Sequence, residues 1–192
     1  MPRSMWFSLK RHDVAFIALC WVALAASAYY LNQPSDLGWS IALAGLLSAL
    51  AIIDLKTFRL PNILTLAVAG LGAVMVYLTR SDAWLDHALG GLIGYGVLWA
   101  MEVGYKALRG RDGLGRGDAK LLGALGIWTG WVGLAPILLI ASFGGLAYVL
   151  VSSARAKSDS RSPSAIAFGP WIALGGWIIW LAGPALHHIL GY

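Results

Sequence analysis

Residues 37–79 read LGWSIALAGLLSALAIIDLKTFRLPNILTLAVAGLGAVMVYLT, two long apolar runs separated by a short polar break. The runs Leu37–Asp54 and Asn62–Thr79 each approach the roughly 20 apolar residues that a helix needs to cross a bilayer. The break between them contains the cations Lys56 and Arg59. The stretch therefore predicts two transmembrane helices joined by a short polar loop.

The same alternation of apolar runs and polar breaks continues along the whole chain. The other five predicted spans are Val14–Leu31, Trp84–Gly104, Ala119–Trp131, Val132–Val151 and Ala165–Ala182. Ala119–Trp131 is the weakest, because about 13 residues rise only about 20 Å, less than the roughly 30 Å of hydrocarbon. We predict an all-α, polytopic integral membrane helical bundle, a single domain over residues 1–192. It has about seven transmembrane helices, or six if the first is removed as a signal peptide.

The composition excludes a soluble globular protein. Of the 192 residues, 59% are hydrophobic and 12% are charged, against about 25% charged residues in an average soluble domain. The net charge of +5 does not predict a nucleic-acid partner, because the basic residues lie in separate breaks and not in one patch. The single cysteine, Cys20, supplies neither an internal disulfide nor the paired ligands of a zinc site. We expect an apolar filler there, and neither a metal nor a cofactor in the protein.

The distribution of the cations predicts an orientation in the membrane. If the N-terminus lies in the cytoplasm, every Lys and Arg except Arg80 falls on the inner side, as the positive-inside rule requires. This alternation holds only if the weak run Ala119–Trp131 also crosses. The loops Lys56–Leu60 and Lys106–Gly117 are then cytoplasmic. The four His lie near span ends or in the tail and are interpreted as interfacial residues.

Three acids lie at the predicted inner ends of spans, where an ionisable group is costly and functional roles are common. Asp54 closes the second span, Asp118 opens the fifth, and Glu102 lies near the end of the fourth. If Asp54 and Asp118 meet, one carboxylate can take a proton from water while the other donates to a peptide carbonyl. The alternatives are a solvated helix end for Asp54, a helix cap for Asp118, and an i, i+4 pair of Glu102 with Lys106.

A glycine-rich segment precedes the fifth span. Gly113, Gly115 and Gly117 alternate before Asp118, and glycine permits both positive φ and close approach of another chain. We predict that Gly115, Gly117 and Lys120 bind the substrate, with an extended peptide held by backbone hydrogen bonds. A phosphate cradle and a flexible linker are the alternatives, although neither common glycine-rich phosphate motif is present.

Three ordered motifs resemble those of the type IV prepilin peptidases, membrane aspartic peptidases of the GxGD type. They are Asp54 followed by RLPNILT at 59–65, the segment DGLGRGDAKLL at 112–122 preceded by Tyr105-Lys106, and AFGP at 167–170. Asp112, Leu114 and Ala167 depart mildly from the family pattern. The resemblance implies that Asp54 and Asp118 are the two catalytic aspartates, and it assigns no catalytic role to the third motif.

The resemblance also implies the substrate and the location. The substrate would be a prepilin or pseudopilin, cut on the cytoplasmic side of the inner membrane just before its apolar helix. Long family members carry a cysteine-containing insertion that binds zinc and accompanies N-methylation, whereas only Asn32–Asp36 joins the first two spans here. We therefore expect a short, peptidase-only form without methylation. Some such forms serve tight-adherence (Flp) pili or related secretion systems, whose assembly machinery would be a further partner.

Two functions of other classes stay open at this stage. A polytopic transporter could use Asp54 and Asp118 as a proton or ion relay, but the acids lie at one face and no internal repeat is found. A structural assembly factor would tolerate replacement of both aspartates.

Overall fold

The computed structural model describes Cys20, Tyr29 and residues 22–27, 34–110, 115–155 and 167–190. Residues 22–27 are helical and belong to α1, which overlaps the predicted span Val14–Leu31; the rest of that span lies mostly outside the described residues. The other helices are α2 (Leu37–Thr57), α3 (Asn62–Thr79), α4 (Trp84–Arg109), α5 (Arg116–Thr129), α6 (Leu134–Arg155) and α7 (Gly169–Leu190). The regular structure in the described part of the chain is entirely helical, which confirms the all-α prediction.

Apolar side chains cover much of the outer surface of the bundle. Ile63, Leu66, Tyr77 and Leu92 are each more than two-thirds exposed, as Ile63 at 78% illustrates. Three helical stretches within the described residues are long and apolar enough to cross a membrane, namely Leu37–Thr57, Asn62–Thr79 and Trp131–Ser153. An apolar outer surface on helices of this length is that of a helical membrane protein.

The short helix α5 lies at the centre of the bundle. It has 14 residues and packs against α3, α4 and α7. Leu121, Leu122, Leu125 and Trp128 are fully buried, and the Trp128 indole donates a 2.9 Å hydrogen bond to the Val68 carbonyl. Because protein surrounds α5 on several sides, it does not need the length of a helix that faces lipid. The weak predicted span is therefore a short helix inside the core.

Glycines bring α4 and α5 into close, antiparallel contact. The backbones of Gly90 and Gly126 touch, and a Cβ on Gly94 would lie 2.8 Å from the Leu122 carbonyl oxygen. Small residues at such positions allow two helices in a membrane to pack backbone against backbone.

The helices alternate in direction, which gives the bundle two distinct ends. At one end, called the far end, Arg80 forms a 3.3 Å ion pair with Asp36 and lies 5.0 Å from the Trp180 ring centroid. His87, predicted to be interfacial, is instead buried there, and its Nδ1 lies 2.7 Å from the Ile127 carbonyl, because α5 covers it. The opposite end, where α2 ends and α3, α5 and α7 begin, contains Asp54 and Asp118 and is called the aspartate end.

Candidate active site

Asp54 lies in the last turn of α2 and is buried. Only 5% of the residue is exposed, and its Oδ2 accepts a 3.1 Å hydrogen bond from the Gly169 N–H at the start of α7. The helix continues past Asp54 to Thr57, and Phe58 ends it with φ of 50° while donating its N–H to the Asp54 carbonyl. The alternative of a solvated helix end is therefore wrong, because α7 covers this carboxylate.

Asp118 lies in the first turn of α5, just before the predicted span Ala119–Trp131, and only 8% of it is exposed. Gly115 is the N-cap residue of this helix, and its backbone forms a hydrogen bond with the Asp118 carboxylate. A side chain three residues after the cap that bonds the cap backbone is the reciprocal half of a capping box. Asp118 therefore helps to cap the N-terminus of α5, as the structural alternative predicts, in addition to any chemical role.

The two carboxylates interact electrostatically. Burial raises the pKa of Asp118 to about 7, the charge of Asp54 adds to this rise, and the Gly115 backbone hydrogen bond opposes it. Two carboxylates in one buried site cannot both ionise without a large cost. This arrangement offers a proton acceptor and a proton donor at the same place.

Leu60 connects the three sequence motifs at the aspartate end. A Cβ on Gly117 would lie 2.9 Å from the Leu60 Cβ, and a Cβ on Gly169 would lie 3.3 Å from the Leu60 Cδ1. The side chain of Leu60 therefore lies between the N-termini of α5 and α7. The aspartates belong to motifs that are far apart in the chain, and the structure brings these motifs together here.

The predicted substrate-binding residues have partners inside the protein. Gly117 packs on Leu60, and Lys120 donates a 2.8 Å hydrogen bond from Nζ to the Asn62 Oδ1. Gly115 has φ of −75° and Gly117 is helical, so neither uses the positive φ that glycine permits. Close approach accounts for Gly117, whereas a Cβ on Gly115 would lie 3.1 Å from the Asp118 Oδ2 and would crowd that carboxylate. Their roles in substrate binding stay predictions.

Glu102 is buried in α4 and pairs with the motif that carries Asp118. Its Oε1 accepts a 3.0 Å hydrogen bond from the Nε of Arg116, the residue between Gly115 and Gly117. The prediction of an i, i+4 pair with Lys106 missed this contact, because the approach of α5 to α4 depends on tertiary packing. Glu102 thus ties the start of α5 to α4.

Gly169 and Leu60 are the site residues to which sequence reasoning gave no role. The motif AFGP was noted, but only the contact with Asp54 shows what its glycine does. Asp112, Gly113 and Leu114 lie outside the described residues. Within the described part of the chain, no three His, Cys, Asp or Glu side chains are grouped so that they could hold a metal ion.

The fold and the site define a class: a polytopic helical membrane protein with two interacting, buried carboxylates at one end of its bundle. Residues 41–150 match the type IV leader peptidase family. This chain belongs to that family.

Curated relatives agree with the family match. The chain is 38% identical over 176 residues to the prepilin leader peptidase/N-methyltransferase of Escherichia coli (strain K12), covering 89% of this chain and 77% of that protein. It is 38% identical over 153 residues to the protein of the same name from Pectobacterium carotovorum subsp. carotovorum, covering 80% and 54%. For the one from Burkholderia pseudomallei (strain K96243), identity is 40% over 173 residues, covering 88% and 54%.

The chain therefore spans about half the length of the last two relatives, at 54% each. No solved structure is significantly similar to it. The family match and the relatives give no support to the transporter alternative.

Proposed function

We propose that this protein is an aspartic endopeptidase that removes the leader peptide of a prepilin or pseudopilin. Asp54 and Asp118 are its catalytic pair, and no metal takes part. The proposal is supported by family membership together with one geometric observation: two carboxylates are buried at the aspartate end, where three separate motifs meet.

The chemistry follows from a shared proton. The ionised aspartate takes a proton from a water molecule as the water oxygen attacks the carbonyl carbon of the scissile peptide bond. The protonated aspartate donates its proton to the carbonyl oxygen, which gives a tetrahedral diol. The aspartate that took the water proton then gives it to the amide nitrogen, and the other aspartate takes a proton back from a diol hydroxyl. The C–N bond breaks to give a carboxylic acid and an amine, and the pair returns to its starting state. Since Asp118 has a pKa of about 7, it is our candidate for the initial proton donor.

We propose that the aspartate end faces the cytoplasm in the inner membrane. Among the described Lys and Arg residues, Arg80 alone lies at the far end, and the others belong to helix ends or loops at the aspartate end, namely Lys56, Arg59, Lys106, Arg109, Arg116, Lys120 and Arg155. Cytoplasmic segments of membrane proteins carry such an excess of cations. Cleavage of the leader would then take place before the pilin leaves the inner face.

The direct test uses purified protein in detergent and a pilin precursor from the same genome. Mass spectrometry of the product gives both the cleaved bond and the state of the new N-terminus. Cleavage at a single bond before an apolar segment is the expected result. A protein that cleaves no such precursor, but moves ions in proteoliposomes, would contradict the proposal. Normal pilus assembly after replacement of both aspartates would favour the structural assembly factor.

Pilus or secretion machinery is proposed as a further partner, since a processed pilin must be passed to an assembly apparatus. The peptidase-only character is also a proposal. The names of the relatives include an N-methyltransferase activity, so the absence of methylation in this chain has to be measured on the product.

A further inference from the structure

The N-terminus of α7 is built against Asp54. Gly169 is the first residue of α7, and its N–H donates to the Asp54 Oδ2 in a buried contact 115 residues apart in the chain. A Cβ on Gly169 would lie 2.6 Å from this oxygen and 3.0 Å from the Asp54 Cγ. Side chains do not pack that closely, so any other residue at 169 would displace either the carboxylate or the start of α7.

The contact extends towards Asp118 through Leu60. The Leu60 side chain packs against Gly169 and against Gly117, so a Cβ added to either glycine would meet it. Gly117 is the residue immediately before Asp118. A shift of α7 away from Asp54 would therefore also loosen the packing that sets the start of α5.

We propose that Gly169 is a positioning residue of the aspartate pair. Its N–H holds one oxygen of Asp54, and its bare α-carbon lets α7 begin close enough to keep Asp54 aligned with Asp118 across Leu60. With Oδ2 held, Oδ1 is left to meet a water molecule in a fixed orientation. Preorganisation of this kind lowers the entropic cost of reaching the reactive geometry. The inference rests on the proposed function for its catalytic consequence, but not for the contact itself.

The catalytic consequence is tested with Gly169→Ala. Its matched control is Gly183→Ala, the same substitution in the same helix at a position where a Cβ meets nothing within 4 Å. A misplacement of about 1 Å can cost about 10²-fold in rate, so we expect kcat on a pilin precursor to fall by about that factor. KM should stay within about twofold, because the proposed role of Gly169 acts through Asp54. Unchanged kcat, or a raised KM with normal kcat, would overturn the proposal.

The contact is tested separately by thermal unfolding in detergent, which needs no activity. Gly169→Ala should lower Tm in the wild-type background. In an Asp54→Ala background the same change should lower Tm much less, since the two nearest atoms that the new Cβ would meet are gone. If Gly169→Ala alone fails to accumulate, recovery of the double variant supports the contact.

Equal losses of Tm in both backgrounds would overturn the positioning role. If the wild-type protein cleaves no pilin precursor, the proposed function fails, while the double-mutant cycle still decides whether Gly169 holds Asp54.

Discussion

Replacing each aspartate by asparagine separates the chemistry of the site from its packing. In Asp54→Asn, the amide oxygen can still accept the Gly169 N–H that now bonds Oδ2 at 3.1 Å. In Asp118→Asn, the amide oxygen can likewise accept the Gly115 backbone hydrogen bond. Size and hydrogen bonds are thus preserved, so both variants should fold and insert. Only the capacity to exchange a proton is lost.

The expected magnitude follows from this loss. General acid or base assistance contributes about 10² to 10⁴ in rate, so each single variant should lose at least about 10²-fold in kcat. Because the two groups share one proton, the double variant should be about as slow as either single one. Independent contributions would instead multiply to about 10⁴ or more.

The assay is mass spectrometry of pilin processing over time, with KM and kcat taken from the initial rates. Asp86→Asn is the matched control, because it is the same substitution at an exposed aspartate of the far end. Among the interactions described, Asp86 accepts only a 3.3 Å hydrogen bond from the Trp131 indole. It should cleave at the wild-type rate. Full activity in either Asp54→Asn or Asp118→Asn would refute the aspartic mechanism.

Three further predictions concern orientation, metal and pH. In a chain with Cys20 replaced by Ala, an impermeant thiol reagent added to intact cells should label Ser81→Cys at the far end but not Thr57→Cys, and the opposite labelling would reverse the topology. EDTA should leave cleavage unchanged and the product N-terminus should be unmethylated; inhibition restored by zinc, or a methylated product, would contradict this. Since the pKa of Asp118 is raised to about 7, the proton donor is present below that pH and lost above it, so kcat should decline as pH rises through about 7, whereas a flat profile from pH 6 to 9 would contradict the role of Asp118.

The helices could be predicted from the sequence because each apolar run has its own local signal. Asn62–Thr79 matches α3 at both ends, and the run that begins at Trp84 begins α4. In a membrane protein the polar breaks are confined to the bundle ends, so hydropathy alone locates the helices, although α4 continues past its predicted end at Gly104 to Arg109. Asp54 and Asp118 could be selected for the same reason, as acids at the ends of apolar runs.

The contacts between distant segments could not be predicted in this way. The burial of Asp54 depends on Gly169, which lies 115 residues further along the chain. For Glu102, a local spacing rule favoured Lys106, but the packing of α5 brings Arg116 to it. For Gly117, the sequence allows either positive φ or close approach of another segment, and only the structure shows a helical residue crowded by Leu60. In each case the decisive neighbour comes from another helix.

The weakest span in the sequence carries Asp118, and the two facts have a common cause. The 14 residues of α5 rise about 21 Å, well short of the roughly 30 Å of hydrocarbon. A helix exposed to lipid could not end there, because the free N–H groups of its first turn would lie in hydrocarbon without partners. In α5 the surrounding helices cover the sides, and the Asp118 carboxylate bonds the backbone of its own N-cap residue. The short helix therefore places the Asp118 carboxylate inside the bundle, beside polar groups and away from lipid. A pair of aspartates needs such a position if it is to act on water and a peptide bond.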